Sequence, residues 1–181
     1  MFEIGQDTLA TRGTGRLACY TLQMSKGPTD IAVRKATVVD IPEVLRQRRR
    51  MYEDMHYPDS DTLTEMMRLS ANYLGKAMAD GSFHAWLACA GEKPIAGGAV
   101  IVSPWLAHPY DLECRRATIL NVYTEREYRR RGIARQLMQT MIGWCKEQGL
   151  ARVTLHASDD GRHLYESLGF ETSNEMRLKL R

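Results

Sequence analysis

The segment from Cys114 to Ala157 constrains the fold more than any other part of the chain. "CRRATILNVYT" (Cys114–Thr124) reads as a strand and is expected to be the central one. After a charged turn, Ile133, Leu137, Met141, Trp144 and Gln148 fall on one helical stripe, with Ala134, Met138 and Cys145 beside it. Gly149 stops that helix, and "ARVTLHA" (Ala151–Ala157) is a further strand. Strand, amphipathic helix and strand in this order make a βαβ crossover. Together with the flanking elements it gives a mixed α/β chain.

Those flanking elements are signalled residue by residue. "IAVRKAT" (Ile31–Thr37) alternates apolar and polar positions and reads as a strand. Asp40 is expected to cap a helix running to about Met55, with Pro42 in its first turn and Glu43 three residues after the cap, a capping box in form. "HYPDSD" is a loop, and Thr62–Ala79 is a second helix ended by Asp80 and Gly81. "SFHAWLACA" and "PIAGGAVIV" are two strands around the turn "GEKP". The loop "SPWLAHPYDLE" (Ser103–Glu113) leads into the Cys114 strand. Ser158 is expected to cap a last helix ended by Gly169, and Phe170 to the C-terminus reads as one or two closing strands. Residues 1–29 have weak periodicity and read as an N-terminal extension or poorly ordered arm. Two readings stay open there: a true start at Met24, and a strand across residues 17–23. No internal repeat or low-complexity linker divides the rest, so residues 30–181 are expected to form a single domain.

Composition narrows the function classes. A chain of 181 residues with 44% hydrophobic and 26% charged residues suits one domain with a substantial core. Its net charge of +3 is smaller than a dedicated nucleic-acid binder carries, so no nucleic-acid partner is expected. The basic character is local, in Arg48-Arg49-Arg50 and Arg129-Arg130-Arg131. Cys19, Cys89, Cys114 and Cys145 lie far apart and the histidines are scattered, which indicates neither a zinc site nor a disulfide framework. The thiols read as reduced and the protein as cytoplasmic. Glu3 and Asp7 stand where a signal peptide needs an apolar run, and no apolar stretch approaches the roughly 20 residues of a membrane span.

"EYRRRGIARQL" (Glu127–Leu137) crowds like charges where a helix begins. A helix N-terminus carries unpaired N–H groups and a partial positive charge. Gly132 and Ala134 supply small positions from which those N–H groups can approach phosphate oxygens, and Arg129, Arg130, Arg131 and Arg135 supply charge around them. A di- or triphosphate on the turn would explain the crowding. Without an anion it costs roughly a few tenths of a kcal/mol per like-charge pair. The plainer reading is a solvated basic patch. The spacing matches neither a P-loop nor the G-x-G-x-x-G dinucleotide turn.

"RRRGIA" (Arg129–Ala134) fits the pattern Q/R-x-x-G-x-G/A, and with its surroundings the chain resembles the GNAT acetyltransferase superfamily. "NVYTEREYRRRGIARQLM" is similar to the family's strand, bulge and helix, "LYESLGF" (Leu164–Phe170) to its late motif, and "VRKATVVDIPEV" to its first strand and helix. The resemblance runs from about residue 31 to the end; Arg126 stands where a proline is common. It implies the GNAT fold, a mixed central sheet of about six to seven strands flanked by about four helices. It implies acetyl-CoA as co-substrate and transfer of the acetyl group to a primary amine. By resemblance, the turn Arg129, Arg130, Arg131, Gly132, Ile133, Ala134 and Arg135 cradles the pyrophosphate. Val122, Tyr123 and Thr124 would offer backbone groups to the pantetheine arm, and one backbone N–H of that strand would polarise the thioester carbonyl.

Tyr165 would be the general acid that protonates the departing thiolate. From ordinary values of about 10 and about 8.5, that transfer is uphill by roughly 2 kcal/mol. An amine of pKa about 10.4 costs roughly 4.6 kcal/mol to deprotonate at pH 7, so a base or a water chain is needed. Glu113 and His156 are the candidates, and each is more readily explained as structural. Cys145, Trp86 and Trp144 read as core. The loop with Trp105, His108 and Tyr110 sets either acceptor specificity or an interface. The run Arg48–Arg50 is either a solvated face or a contact to an acidic substrate. The alternative function is a non-catalytic acyl-CoA-binding sensor of the same fold, against which Tyr165 argues. Small amines, amino acids, aminoglycosides and protein amines all occur as acceptors in the superfamily, and dimers are common in it.

Overall fold

Side-chain alternation along the strands sorts the apolar residues onto two faces of one sheet, and each face acquires its own helices. The computed structural model describes residues 30–109 and 111–180. Strand β1 (Ile31–Lys35) pairs antiparallel with β2 (Phe83–Ala90), β2 with β3 (Lys93–Pro104), and β3 with β4 (Arg115–Thr124). Strand β5 (Val153–Leu155) lies parallel to β4, the geometry that the crossover requires. The order is β1-β2-β3-β4-β5.

Along β2, Phe83, Ala85, Leu87 and Cys89 turn to one face, where α1 (Ile41–Asp54) and α2 (Asp61–Ala79) cover them. Trp86 and Ala88 turn to the other, beneath α3 (Ile133–Glu147). The short α4 (Asp159–Glu166) contributes Leu164 and Tyr165 to the margin of that second core. Adjacent glycines thin the middle strand on both faces. A Cβ at Gly97 would stand 2.2 Å from Gln47 Oε1 of α1, and one at Gly98 would stand 2.8 Å from Met141 Cε of α3. Both helices therefore pack closely against β3.

Four expectations are corrected. The described residues hold five strands, not six to seven, because residues 170–180 form none. Among the described residues, β3 and not β4 is the middle strand, since the three-residue β5 alone lies outside β4. Asp40 is the residue before α1, but its carboxylate turns back and accepts from the Thr37 N–H at 2.8 Å and from Arg34. The capping box thus spans Thr37–Asp40, one turn earlier than expected, while Glu43 accepts from Arg46 and Gln47. On α3, Gln148 is exposed and Trp144 half-buried, so the buried stripe is Ile133, Leu137, Met138, Met141 and Cys145. The proposed arm 1–29, the strand at 17–23 and Tyr110 lie outside the described residues.

Candidate active site

The site begins where two parallel strands part. Strand β5 pairs with β4 only through Ala117–Val153, Thr118–Thr154 and Ile119–Leu155. Beyond Ile119, the outer edge of β4 runs on through Leu120, Asn121, Val122, Tyr123 and Thr124 with no strand beside it among the described residues. At Asn121 (φ +56°) the β3–β4 register shifts, so the strand bulges where the edge becomes free. An open edge of this kind presents backbone donors and acceptors to an extended ligand.

Immediately after that edge the chain makes the arginine turn. Arg130 (φ +63°) and Gly132 (φ +77°) are both left-handed, and α3 starts at Ile133. The first helical bond runs from the Gln136 N–H to the Gly132 carbonyl at 3.1 Å. The N–H groups of Ile133, Ala134 and Arg135 therefore have no helical acceptor. A Cβ added at Gly132 would meet nothing within 4 Å, so the backbone angle selects glycine there and the space before the turn is open. Free N–H groups, a left-handed approach and open space are together the arrangement that can hold an anion.

The arginines do not act as one cloud. Arg129 donates from Nε to the Thr124 carbonyl at 3.0 Å and from Nη2 to Asp54. Arg126 donates to the same carboxylate at 2.9 Å. Burial opposes ionisation of Asp54, but the two guanidiniums hold its carboxyl below the usual range. These bonds fasten the turn to the end of α1. Arg131 reaches back to the Glu127 carbonyl at 2.9 Å and stacks over Tyr128, and Arg135 donates to Ser167 Oγ at 2.8 Å. Arg130 is exposed and its side chain has no partner among the described residues, which leaves it to face an anion.

The three residues at the end of β4 differ in the same way. Val122 packs against the α3 core. Tyr123 is buried and donates to Glu125 Oε2 at 3.1 Å; burial first, and then that carboxylate, push its pKa up to about 12. Glu125 also accepts from Arg46 at 2.6 Å, a second clip between α1 and this edge. The Thr124 hydroxyl is buried without a partner, a polar group that a ligand on the edge would satisfy.

Tyr165 stands on the second turn of α4, which starts four residues beyond β5, at the end of the sheet where β4 and β5 part. Its ring packs edge-on against Phe170 at 6.1 Å and lies over Gly161, where a Cβ would come within 2.7 Å of it. Burial raises its pKa, so the phenol keeps its proton at neutral pH. Cys145 has no chemical role in this arrangement: it is fully buried, and burial lifts its thiol to about 11.

The two base candidates occupy different places. Glu113 is paired with Arg115 at 2.8 Å before the start of β4, roughly 30 Å along the strand from the arginine turn. His156 is exposed and directly follows Leu155, which pairs with Ile119, so it sits level with the first free residue of the β4 edge. Strand β3 takes in Ser103 and Pro104 of the expected loop; in the rest of it, Trp105 lies under the Arg116 guanidinium at 3.9 Å, and the His108 and Asp111 backbones pair with each other.

A cleft opens on the opposite face of the sheet. It has a volume of about 720 Å³ between α1, α2 and the sheet, walled mainly by Met66, Leu69, Tyr73, Phe83, Ile101 and Leu120. Arg48 and Asn121 close its floor by a hydrogen bond between their side chains, and Arg48 also stacks over Tyr52. The Arg48 Nε is buried without a partner. Arg48 is thus neither purely solvated nor a free cation, and its neighbours Arg49 and Arg50 pair with Glu53 on their own helix. The Arg48 partner, the left-handed Asn121, lies 73 residues away, and no local pattern signals it.

Comparison with known proteins agrees with this geometry. The family model described as "Acetyltransferase (GNAT) family" matches residues 43–170. A solved GCN5-related N-acetyltransferase from Ralstonia eutropha is 32% identical with a TM-score of 0.78, over 83% of this chain and 99% of that one. A structure described as a "predicted acetyltransferase with acetyl-CoA" from Clostridium acetobutylicum is 27% identical with a TM-score of 0.74, over 84% and 96% of the two chains. Human N-acetyltransferase 8 is 27% identical over 124 residues, which are 66% of this chain and 50% of that protein. The matched region therefore spans about half the length of this curated relative. Among the described residues, no helix is long and apolar enough to cross a membrane.

Proposed function

The chain belongs to the GNAT acetyltransferase family, and from that premise we propose that it moves an acetyl group from acetyl-CoA to the primary amine of a small-molecule or peptide acceptor. One observation carries the reading: the free N–H groups of Ile133, Ala134 and Arg135 follow directly on the unpaired β4 edge. Together they fit a ligand with an anionic end and an extended amide-bearing arm. The cradle and Arg130 hold the pyrophosphate. Arg129, Arg131 and Arg135 support the turn from behind through the bonds already described. The backbone of Val122, Tyr123 and Thr124 takes the arm, and the Thr124 hydroxyl gains a partner.

Bound acetyl-CoA supplies the acetyl group as a thioester. A backbone N–H of the β4 edge polarises its carbonyl. Tyr165 holds the proton that the departing sulfur needs. The acceptor enters through the cleft, whose lining includes Leu120 and Asn121, the first residues of the free edge. The cleft and the edge therefore meet at the same two residues. His156, level with Leu120, takes the amine proton through water. The free thiols of Cys89, Cys114 and Cys145 suit a reducing compartment, the cytoplasm.

Thiol release from acetyl-CoA, measured against a panel of amines, amino acids, aminoglycosides and peptides, tests the reading. At least one acceptor should give turnover, and Tyr165→Phe should lower kcat about 10²- to 10⁴-fold while leaving acetyl-CoA binding intact. Binding without release to any amine would instead support the acyl-CoA sensor.

A further inference from the structure

Helix α1 carries four arginines, and three of them are paired with carboxylates: Arg46 with Glu43 and Glu125, Arg49 with Glu53 and Asp59, Arg50 with Glu53. Arg48 is the exception. Among the described residues no carboxylate pairs with it. Its guanidinium donates instead to two neutral oxygens, Asn121 Oδ1 and Tyr52 Oη, the latter at 3.2 Å, and its Cζ lies 5.1 Å from the centre of the Tyr52 ring. These contacts hold the planar group in place without neutralising it. Of the four, it is also Arg48 that lines the cleft.

The rest of the cleft gives that charge little relief. Met66, Leu69 and Tyr73 stand three and four residues apart on α2, one stripe of the helix, and look across at Phe83, Ile101 and Leu120 of the sheet. Asp61 and Glu65 also border the space, but both have other duties. Glu65 gives both carboxylate oxygens to Arg68, at 2.6 and 2.7 Å, and Asp61 stands in the first turn of α2, where the helix end favours a negative charge. A fixed cation beside apolar walls is costly until an anion joins it. Its position says where that anion lies: Asn121, which it grips, belongs to the free edge of β4.

We propose that the acceptor is a free amino acid with a large apolar side chain, its carboxylate on Arg48 and its side chain against Leu69, Tyr73 and Phe83. The inference rests on the acetyl-transfer reading and names the acceptor class for it. In an α-amino acid the amine and the carboxylate share one carbon, so holding the acid at Arg48 holds the amine beside the β4 edge. The same cation disfavours the protonated, unreactive form of that amine and repels polycationic acceptors such as aminoglycosides. In the transfer the amine nitrogen bonds to the acetyl carbon and loses a proton, the carbon–sulfur bond breaks, and the sulfur leaves as the CoA thiol. The product is an N-acetyl amino acid.

Calorimetric titration of the full chain with phenylacetate and with phenylacetamide, with and without CoA, tests the carboxylate site apart from turnover. The acid should bind about 10- to 100-fold more tightly than the amide, and Arg48→Met should abolish the difference while Arg48→Lys keeps part of it. Because both ligands are compared on the wild type, the test stands even if Arg48→Met misfolds. In thiol release, phenylalanine should show a kcat/KM about 10- to 100-fold above that of phenethylamine, which lacks the acid, and should also exceed alanine, which lacks the apolar body. Equal or undetectable binding of the acid and the amide would overturn the proposal. So would equal turnover of phenylalanine and phenethylamine, which would leave the acetyl-transfer reading intact. A preference for the acid without release to any amine would overturn that reading, and the acceptor with it.

Discussion

The two faces of the sheet are built to opposite standards. On the α3 face, Leu137, Met138, Met141 and Cys145 have no exposed surface at all, and Met141 lies where a Gly98 side chain would otherwise be. On the other face α1 packs closely at Gly97, but α2 parts from the sheet around a cleft of about 720 Å³, whose walls include Leu69 at 54% and Tyr73 at 47% exposure. The close-packed face carries the helix whose N-terminus is the proposed anion cradle. The open face has room for a second reactant. A cradle made of backbone N–H groups works only if its helix cannot shift, whereas a pocket must admit and release its occupant. The difference in packing follows the division of labour.

Substitutions on the two faces should therefore fail differently. Met141→Ala should cost about 2–5 kcal/mol, read as a lower denaturation midpoint, because the surrounding core cannot collapse into the gap. An equally mild effect there and in the cleft would break the contrast. Gly97→Ala should cost about 1–3 kcal/mol, since its Cβ would meet Gln47 Oε1 at 2.2 Å and the Trp86 carbonyl at 3.2 Å. Gly98→Ala should cost less, because it meets the flexible tip of Met141, and a double-mutant cycle with Met141→Ala should show strong coupling. Leu69→Ala, in the cleft wall, should change stability by no more than about 0.5 kcal/mol yet raise KM for the acceptor.

The smallest expected effect is a pH dependence on the packed face. His84 stacks on Trp144 at 4.3 Å and on Trp86 at 6.5 Å, with Lys35 over both indoles. Burial, and then the Lys35 charge, lower its pKa. The unfolded chain therefore binds the proton more readily. The contribution of neutral His84 to stability is complete above about pH 6.5 and is lost as pH falls through that value towards the folded pKa. His84→Phe should flatten the dependence of Tm on pH between about 7 and 5, and an unchanged slope would contradict the assignment.

The ends of the elements were legible in the sequence on both faces, and the contacts between distant elements were not. Helices α1 and α2 begin and end within a residue or two of their caps and glycines, because those signals are local. The glycine of the turn was legible at position 132, although the deciding requirement there is its left-handed backbone as well as its small size. The separate duties of the arginines were not legible. Arg129 finds Asp54 from 75 residues away, and Arg48 finds Asn121 across 73. Phe170 to the C-terminus read as one or two closing strands, yet residues 170–180 form none, because an alternating pattern specifies a strand's faces and not its neighbour.

The central claim is that the turn at Gly132 and the free β4 edge bind acetyl-CoA. Thermal unfolding of the wild type and of Gly132→Glu, each with and without acetyl-CoA, tests it most directly. At about 100 times its dissociation constant the ligand should stabilise the wild type by about 2.7 kcal/mol, roughly 5–10 °C for a chain of this length. The variant should start from a lower Tm, because its backbone is strained, and show no ligand-dependent rise. An equal rise in both proteins, or none in the wild type, would contradict the account.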